Sequence, residues 1–256
     1  MKTTLFYLLI SGMFTLSCYA QDAKSIIQKS IDAIEFDAFE MSSKLQIYDN
    51  KGNVRMRTLE TSTKKFGNTT KMMMKFTAPA DVSGTTILIH DYSDKNADMW
   101  IYMPATRKSR RIAGRERSSS FMGSEFSNSN MSTPNLDDFT HKVVGSAVVD
   151  GKQCYKIEST CLNTNVESEN GFYKQFSYMD KQTNLSYKVE YFDRKGKQLK
   201  TQTLSNYKKQ PNGKYFCYTM EMKNEVSGRR SVIETNKFQL GSAKSENNFS
   251  PNVLGN

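Results

Sequence analysis

The residues of this chain that could do chemistry are few and scattered. There are two histidines, His90 and His141, far apart in the sequence and in no ligand spacing. No serine sits in a GxSxG turn, the strained strand-to-helix bend that presents a nucleophile. There is no HExxH, no CxxC and no phosphate-binding loop. Carboxylates such as Asp137-Asp138, Glu167 and Glu169 fall in stretches that read as turns and loops, where acids are solvated. A hydrolase built on His90 or His141 is the catalytic reading these residues leave, and it is the weaker one. No enzyme activity, cofactor or metal site is expected.

The apolar residues say more. Met72, Met74 and Phe76 alternate with Lys71, Met73 and Lys75, so one face of that segment is apolar throughout. Met99, Ile101 and Met103 alternate with Trp100 and Tyr102, which makes both faces apolar, and Met220 and Met222 add a further pair. Fourteen methionines is a high count, and methionine suits surfaces that repack around varied apolar ligands. The plainer reading is a β-core with methionine filling gaps. One basic run stands out: Arg107, Lys108, Arg110, Arg111, Arg115 and Arg117, with Glu116 the only acid among them. With a net charge of +10 for the chain, it could meet an anionic headgroup, a membrane surface or an acidic partner, or form a solvated strand end.

Other elements must position these residues. Lys2, the apolar stretch from Leu5 to Leu16 and the ending Cys18-Tyr19-Ala20 form a secretory signal peptide, with cleavage expected after Ala20. Acylation of Cys18, which would anchor the chain to a membrane, is the rival reading. Export makes nucleic acid an unsuitable partner. Residues 21–256 then form one domain, with Cys154, Cys161 and Cys217 as its cysteines, an odd number that specifies no disulfide framework. A helix follows, with Ala23, Ile27, Ile31, Ile34 and Ala38 as its apolar stripe and Lys24, Gln28, Lys29, Asp32 and Glu35 opposite.

From Met41 onward the period is two. Eleven or twelve strands are expected, linked by hairpin turns such as Asp49 to Asn53, Asp150-Gly151 and Pro211-Asn212-Gly213. The fold class is mainly β, a large antiparallel sheet curled into a barrel or half-barrel. The serine-rich segment Ala113 to Asp138 reads as a loop without structure of its own. Its Phe121, Met122, Phe126 and Met131 would either close a cavity mouth or tuck against the sheet.

Four blocks in fixed order carry a resemblance: Met74-Lys75-Phe76-Thr77-Ala78-Pro79-Ala80-Asp81-Val82-Ser83-Gly84-Thr85, Asp98-Met99-Trp100-Ile101-Tyr102-Met103-Pro104-Ala105, the basic run to Arg111, and Ser120-Phe121-Met122-Gly123-Ser124. Together they resemble the LolA/LolB-like outer-membrane lipoprotein-sorting proteins, with Glu125 standing where the family has aspartate. The resemblance implies an unclosed β-barrel with an N-terminal helix and a long loop covering a hydrophobic concavity. It implies a periplasmic carrier of lipoproteins or acylated lipids, with an inner-membrane transporter and an outer-membrane acceptor as partners, transient contact with the membrane surface, and no catalysis. An interaction or sensor module regulating envelope stress, or assisting a transporter, is the alternative. Carried onto this chain, the ligand-binding candidates are Met72, Met74, Phe76, Trp100, Tyr102, Phe121 and Met122, with Arg107, Arg110 and Arg111 for a headgroup or partner. On this reading a charged residue at Trp100 or Phe121 abolishes binding of a fluorescent fatty acid; unchanged binding by a folded variant would remove that residue from the site.

Overall fold

The computed structural model describes residues 15–255, with side chains from Ala23 onward. The signal-peptide reading falls largely on residues 1–14, outside the described residues, and so does the side chain of Cys18. Helix α1 (Thr15–Ile34) opens the described chain. Thirteen strands follow: β1 (Ala38–Tyr48), β2 (Val54–Phe66), β3 (Thr69–Ala78), β4 (Thr86–Tyr92), β5 (Asp98–Met103), β6 (Lys108–Arg111), β7 (Phe139–Val149), β8 (Lys152–Cys161), β9 (Lys174–Asp180), β10 (Ser186–Phe192), β11 (Gln198–Lys209), β12 (Tyr215–Asn224) and β13 (Arg230–Leu240). A short helix, α2 (Thr164–Asn170), connects β8 to β9.

All thirteen strands form one antiparallel sheet in the order β6-β5-β4-β3-β2-β1-β13-β12-β11-β10-β9-β8-β7. Two meanders, β1 to β6 and β7 to β13, are zipped together where β1 meets β13. The edges β6 and β7 are not paired with each other, so the barrel stays open. Because neighbouring strands lie about 4.8 Å apart, the link from β6 to β7 must cross the whole width of the curled sheet. The long 113–138 segment is that crossing.

Strand alternation sends one set of side chains to the concave face. Directly paired residues share a face, so the register places Leu45, Leu59, Phe76, Met74, Ile87 and Ile101 there from the first meander, with Ile233, Met222, Val189 and Ile157 from the second. Two covers seal this face. Ala23, Ile26, Ile27 and Leu136 pack with Ile157 and Met179 under α1. Phe121 and Phe126, each 1% exposed, come from the 113–138 segment and join the main concave core, which draws on both meanders.

The helix stripe differs from its sequence reading. Ala23, Ile27 and the polar face Lys24, Gln28, Lys29 and Asp32 fall as expected, but Glu35 lies just past the helix end, and Ile26 and Ser30 are buried while Ile34 is 43% exposed. Ala38 belongs to β1. The chain must turn at Phe36 to enter the sheet, and the helix ends before Ile34 can reach a partner. The 113–138 segment is not structureless either. It winds through four short 3-10 turns, Gly114–Glu116, Phe121–Gly123, Asn128–Met131 and Leu136–Asp138. They satisfy backbone groups that burial would otherwise leave dry. The basic run, read as one strand end, contains the short edge strand β6.

The convex face carries a third cover. Phe249 and Leu254 of the C-terminal segment bury themselves against Leu88, with Phe66, Met73, Trp100 and Tyr102 around them. His90 donates through Nε2 to the Phe249 carbonyl at 2.7 Å, and Lys71 pairs with Glu246 at 2.7 Å. Ile157→Ala is expected to destabilise the protein by about 2–5 kcal/mol and Phe249→Ala by about 3–5 kcal/mol, while Val148→Ala at an exposed position changes stability by less than about 0.5 kcal/mol. Urea denaturation of the three variants measures the contrast.

Candidate functional site

The concave face is sealed unevenly. Across β1, β3, β12 and β13 runs a strip whose side chains are only half-buried: Phe39 and Met41 on β1, Met72 on β3, Phe216, Tyr218 and Met220 on β12, and Phe238 on β13. Register holds these residues on the same face as Leu45 and Met222. Aromatic rings form its floor. Phe216 stacks on Phe238 with centroids 3.9 Å apart, Phe39 lies 5.4 Å from Phe238, and Phe216 meets Tyr218 edge-on at 5.0 Å. Phe36, at the turn out of α1, closes one end, 5.3 Å from Phe238. A strip of rings and thioethers, half-covered and pointing into a curved sheet, offers apolar contact to a ligand with few directional demands.

The rest of the concavity is held shut by a polar clasp around the tip of the 113–138 segment. Glu125, 7% exposed, accepts from Asn224 Nδ2 at 2.9 Å and pairs with Arg229 at 2.9 Å. Its backbone carbonyl accepts from Lys200 Nζ at 2.6 Å, and its backbone N–H reaches Ser231 Oγ at 3.0 Å. Arg57 Nη1 donates to the Met122 carbonyl. Burial holds the Lys200 ammonium below its ordinary pKa, with Glu125 opposing that shift. A buried carboxylate is tolerated when donors satisfy it, and here the donors are Asn224 of β12 and Arg229 of the turn between β12 and β13. The same contacts lower Phe121 and Phe126 between them, with Phe121 6.0 Å from Phe76.

The sequence-derived site residues divide between two faces. Met72, Met74, Phe76, Phe121 and Met122 all lie in or against the concave core. Trp100 and Tyr102 do not. On β5 they alternate with Met99 and Ile101, which point into the concavity, and so Trp100 and Tyr102 emerge on the convex face under the C-terminal segment. Tyr102 lines a cleft there of about 750 Å³, shared with Met73, Lys75, Lys244 and Leu254, on the far side of the sheet from Met72. The expected loss of binding on placing a charge at position 100 therefore no longer applies, and the expectation for Phe121 stands. Of the basic candidates, Arg107 is exposed in the β5–β6 turn, Arg110 pairs with Glu116 at 2.9 Å and Arg111 pairs with Asp98. These pairs are exposed and worth little, so the β6 edge remains a basic rim.

Sequence reading missed Glu125's clasp and the aromatic floor. The floor had a signal, since Phe216, Tyr218, Met220 and Met222 fall at every second position. The clasp had none, because Lys200, Asn224 and Arg229 meet Glu125 only through the sheet. The two histidines serve the scaffold. His141 bridges Ser159 Oγ and the Leu136 carbonyl, both at 2.9 Å, and His90 sits edge-on to Trp100 at 4.9 Å.

The open sheet with its helix and crossing segment is an unclosed half-barrel, a fold shared with several solved structures. The chain belongs to the family whose model, described only as "uncharacterized protein-like", matches residues 68–256. It is similar to a domain from Vibrio parahaemolyticus provisionally described as an outer membrane lipoprotein-sorting protein, with a TM-score of 0.84 and 27% identity over 92% of this chain and 99% of that one. A DUF1329 family protein from Desulfovibrio piger is similar at a TM-score of 0.84 and 25% identity, again over 92% and 99%. A LolA superfamily protein from Nitrosomonas europaea shares the fold at a TM-score of 0.70 and 20% identity, over 91% and 99%. No curated protein matches the chain.

Burial holds both imidazoles below their ordinary pKa. The unfolded chain, with histidine near 6.5, then binds more protons than the folded one as pH falls through that value. Stability is therefore full above about pH 6.5 and declines toward the folded-state pKa values. Thermal melts between pH 7.5 and 5.5 should show a falling Tm, and H90Q/H141Q should flatten the profile; a flat wild-type curve would contradict the assignment.

Proposed function

We propose that this protein is a non-enzymatic carrier that holds the acyl chains of lipoproteins or other lipids in the concavity of its half-barrel. The observation that carries the reading is the half-buried strip of Phe39, Met41, Met72, Phe216, Tyr218, Met220 and Phe238 on the concave face. An apolar strip inside a curved sheet is favourable only when something apolar covers it, and an acyl chain contributes about 0.8 kcal/mol for each buried CH₂. The similarity to a domain described as lipoprotein-sorting supports the same reading. So does the basic β6 rim, which suits brief contact with an anionic membrane surface. On this reading the protein works in the periplasm after export, receives cargo from an inner-membrane transporter and passes it to an outer-membrane acceptor.

Protein purified from its native envelope should carry acyl species that organic extraction and mass spectrometry detect at about one equivalent. Delipidated protein should bind a fluorescent fatty acid, and F216D/F238D should weaken that binding by about tenfold or more while circular dichroism shows an intact sheet. Protein that arrives empty and ignores the probe would exclude the carrier reading and favour a module that binds a protein partner.

A further inference from the structure

On the concave face of β2, Thr61 and Thr63 are each 2% exposed, and among the described residues the hydroxyl oxygens of both lack a hydrogen-bond partner. The register shows why no protein group serves them. Thr61 lies opposite Met41 and Met74, and Thr63 opposite Phe39 and Met72. None of these four side chains carries a nitrogen or an oxygen. Buried hydroxyls are almost always paired, and one left dry is destabilising. Valine has nearly the same shape and would avoid the penalty. Two such hydroxyls stand side by side in the floor of the half-covered strip.

We propose that Thr61 and Thr63 donate hydrogen bonds to the ester carbonyl oxygens of bound cargo, so that the cavity selects a diacyl ester. The inference rests on the carrier reading and names its ligand class. Residues two apart on a strand are separated by about 6.6 Å, so the pair meets two acceptors rather than gripping one. Two ester groups on neighbouring carbons of a glycerol unit present such acceptors, each with an acyl chain that can lie along the rings and thioethers. A fatty-acid carboxylate would need a cation, and the side chains opposite the pair are methionine and phenylalanine. Arg57, on the same face of β2, is turned to the Met122 carbonyl. Bare hydrocarbon would leave both hydroxyls dry.

Affinity for a diacylglycerol and for its dialkyl-ether counterpart of equal chain length, measured on the purified protein, tests this. The wild type should bind the diester about tenfold more tightly, the difference that two ordinary hydrogen bonds supply. T61V/T63V should lose that preference, keep its affinity for the diether and melt at a higher temperature when empty. T61S/T63S, which retains the hydroxyls, should keep the preference and guards against a valine variant that does not fold. Equal binding of the two lipids by the wild type, or a valine variant that still prefers the ester, overturns the proposal while leaving the carrier reading in place. A folded wild type that binds neither lipid overturns both.

Discussion

The rest of the structure depends on one constraint: a curled thirteen-strand sheet whose ends do not meet. Closure would satisfy the edges and let opposing strands fill the interior. Left open, the sheet has an apolar concave face too wide for its own side chains to fill. Something must cover it. The chain supplies α1 over β7 to β9 and the 113–138 segment over the main core that the two meanders share. The second cover is a topological necessity, because β6 and β7 lie at opposite edges and their connection has to span the mouth. That connection can carry Phe121 and Phe126 into the core because its backbone is folded into 3-10 turns and its tip is tied down by Glu125.

The two covers meet at Leu136 but leave a strip of the concave face half-buried, and that strip is the candidate site. Its residues are the ones a tightly packed core would not choose. Methionines and half-buried phenylalanines adapt to different shapes, and the two unpaired threonines are tolerated without a partner from the protein. The contrast with the far side of the sheet is instructive. There the C-terminal segment buries Leu88 and Phe249 completely, and the second meander keeps its convex face wet with lysines laid over aromatic rings, such as Lys156 over Phe176 at 4.4 Å. One face is finished as surface and as core; the other is left partly unfinished.

Charge is distributed with the same asymmetry. The basic residues around β6 sit at the free edge of the first meander, where a short strand with charged side chains also discourages edge-to-edge pairing with another sheet. Inside, the buried charge of Glu125 holds the crossing segment in place. Lys200 of β11, Asn224 of β12 and Arg229 of the β12–β13 turn converge on Glu125 and fix the crossing segment to the second meander, while Arg57 of β2 ties it to the first. An apolar residue at position 125 would take the acceptor from Asn224 and Arg229, while the Lys200 bond to the backbone carbonyl would remain.

Most of the architecture was legible in the sequence because strand periodicity is local. Twelve of the strands, most of the hairpin turns and the amphipathic helix follow from residues within reach of one another along the chain. So did the openness of the barrel, through the blocks from Met74 to Ser124 that resemble a known half-barrel. What the sequence alone did not determine was which face of each strand looks inward. Met99 and Trp100 are equally apolar neighbours, and only pairing with β4, itself in register with β3 and β2, sends the first to the cavity and the second to the C-terminal segment. The clasp at Glu125, the aromatic floor and the stranded threonines are likewise products of register between distant strands. Alternation fixes that neighbouring side chains point opposite ways, but the sign of that alternation is set by the whole sheet.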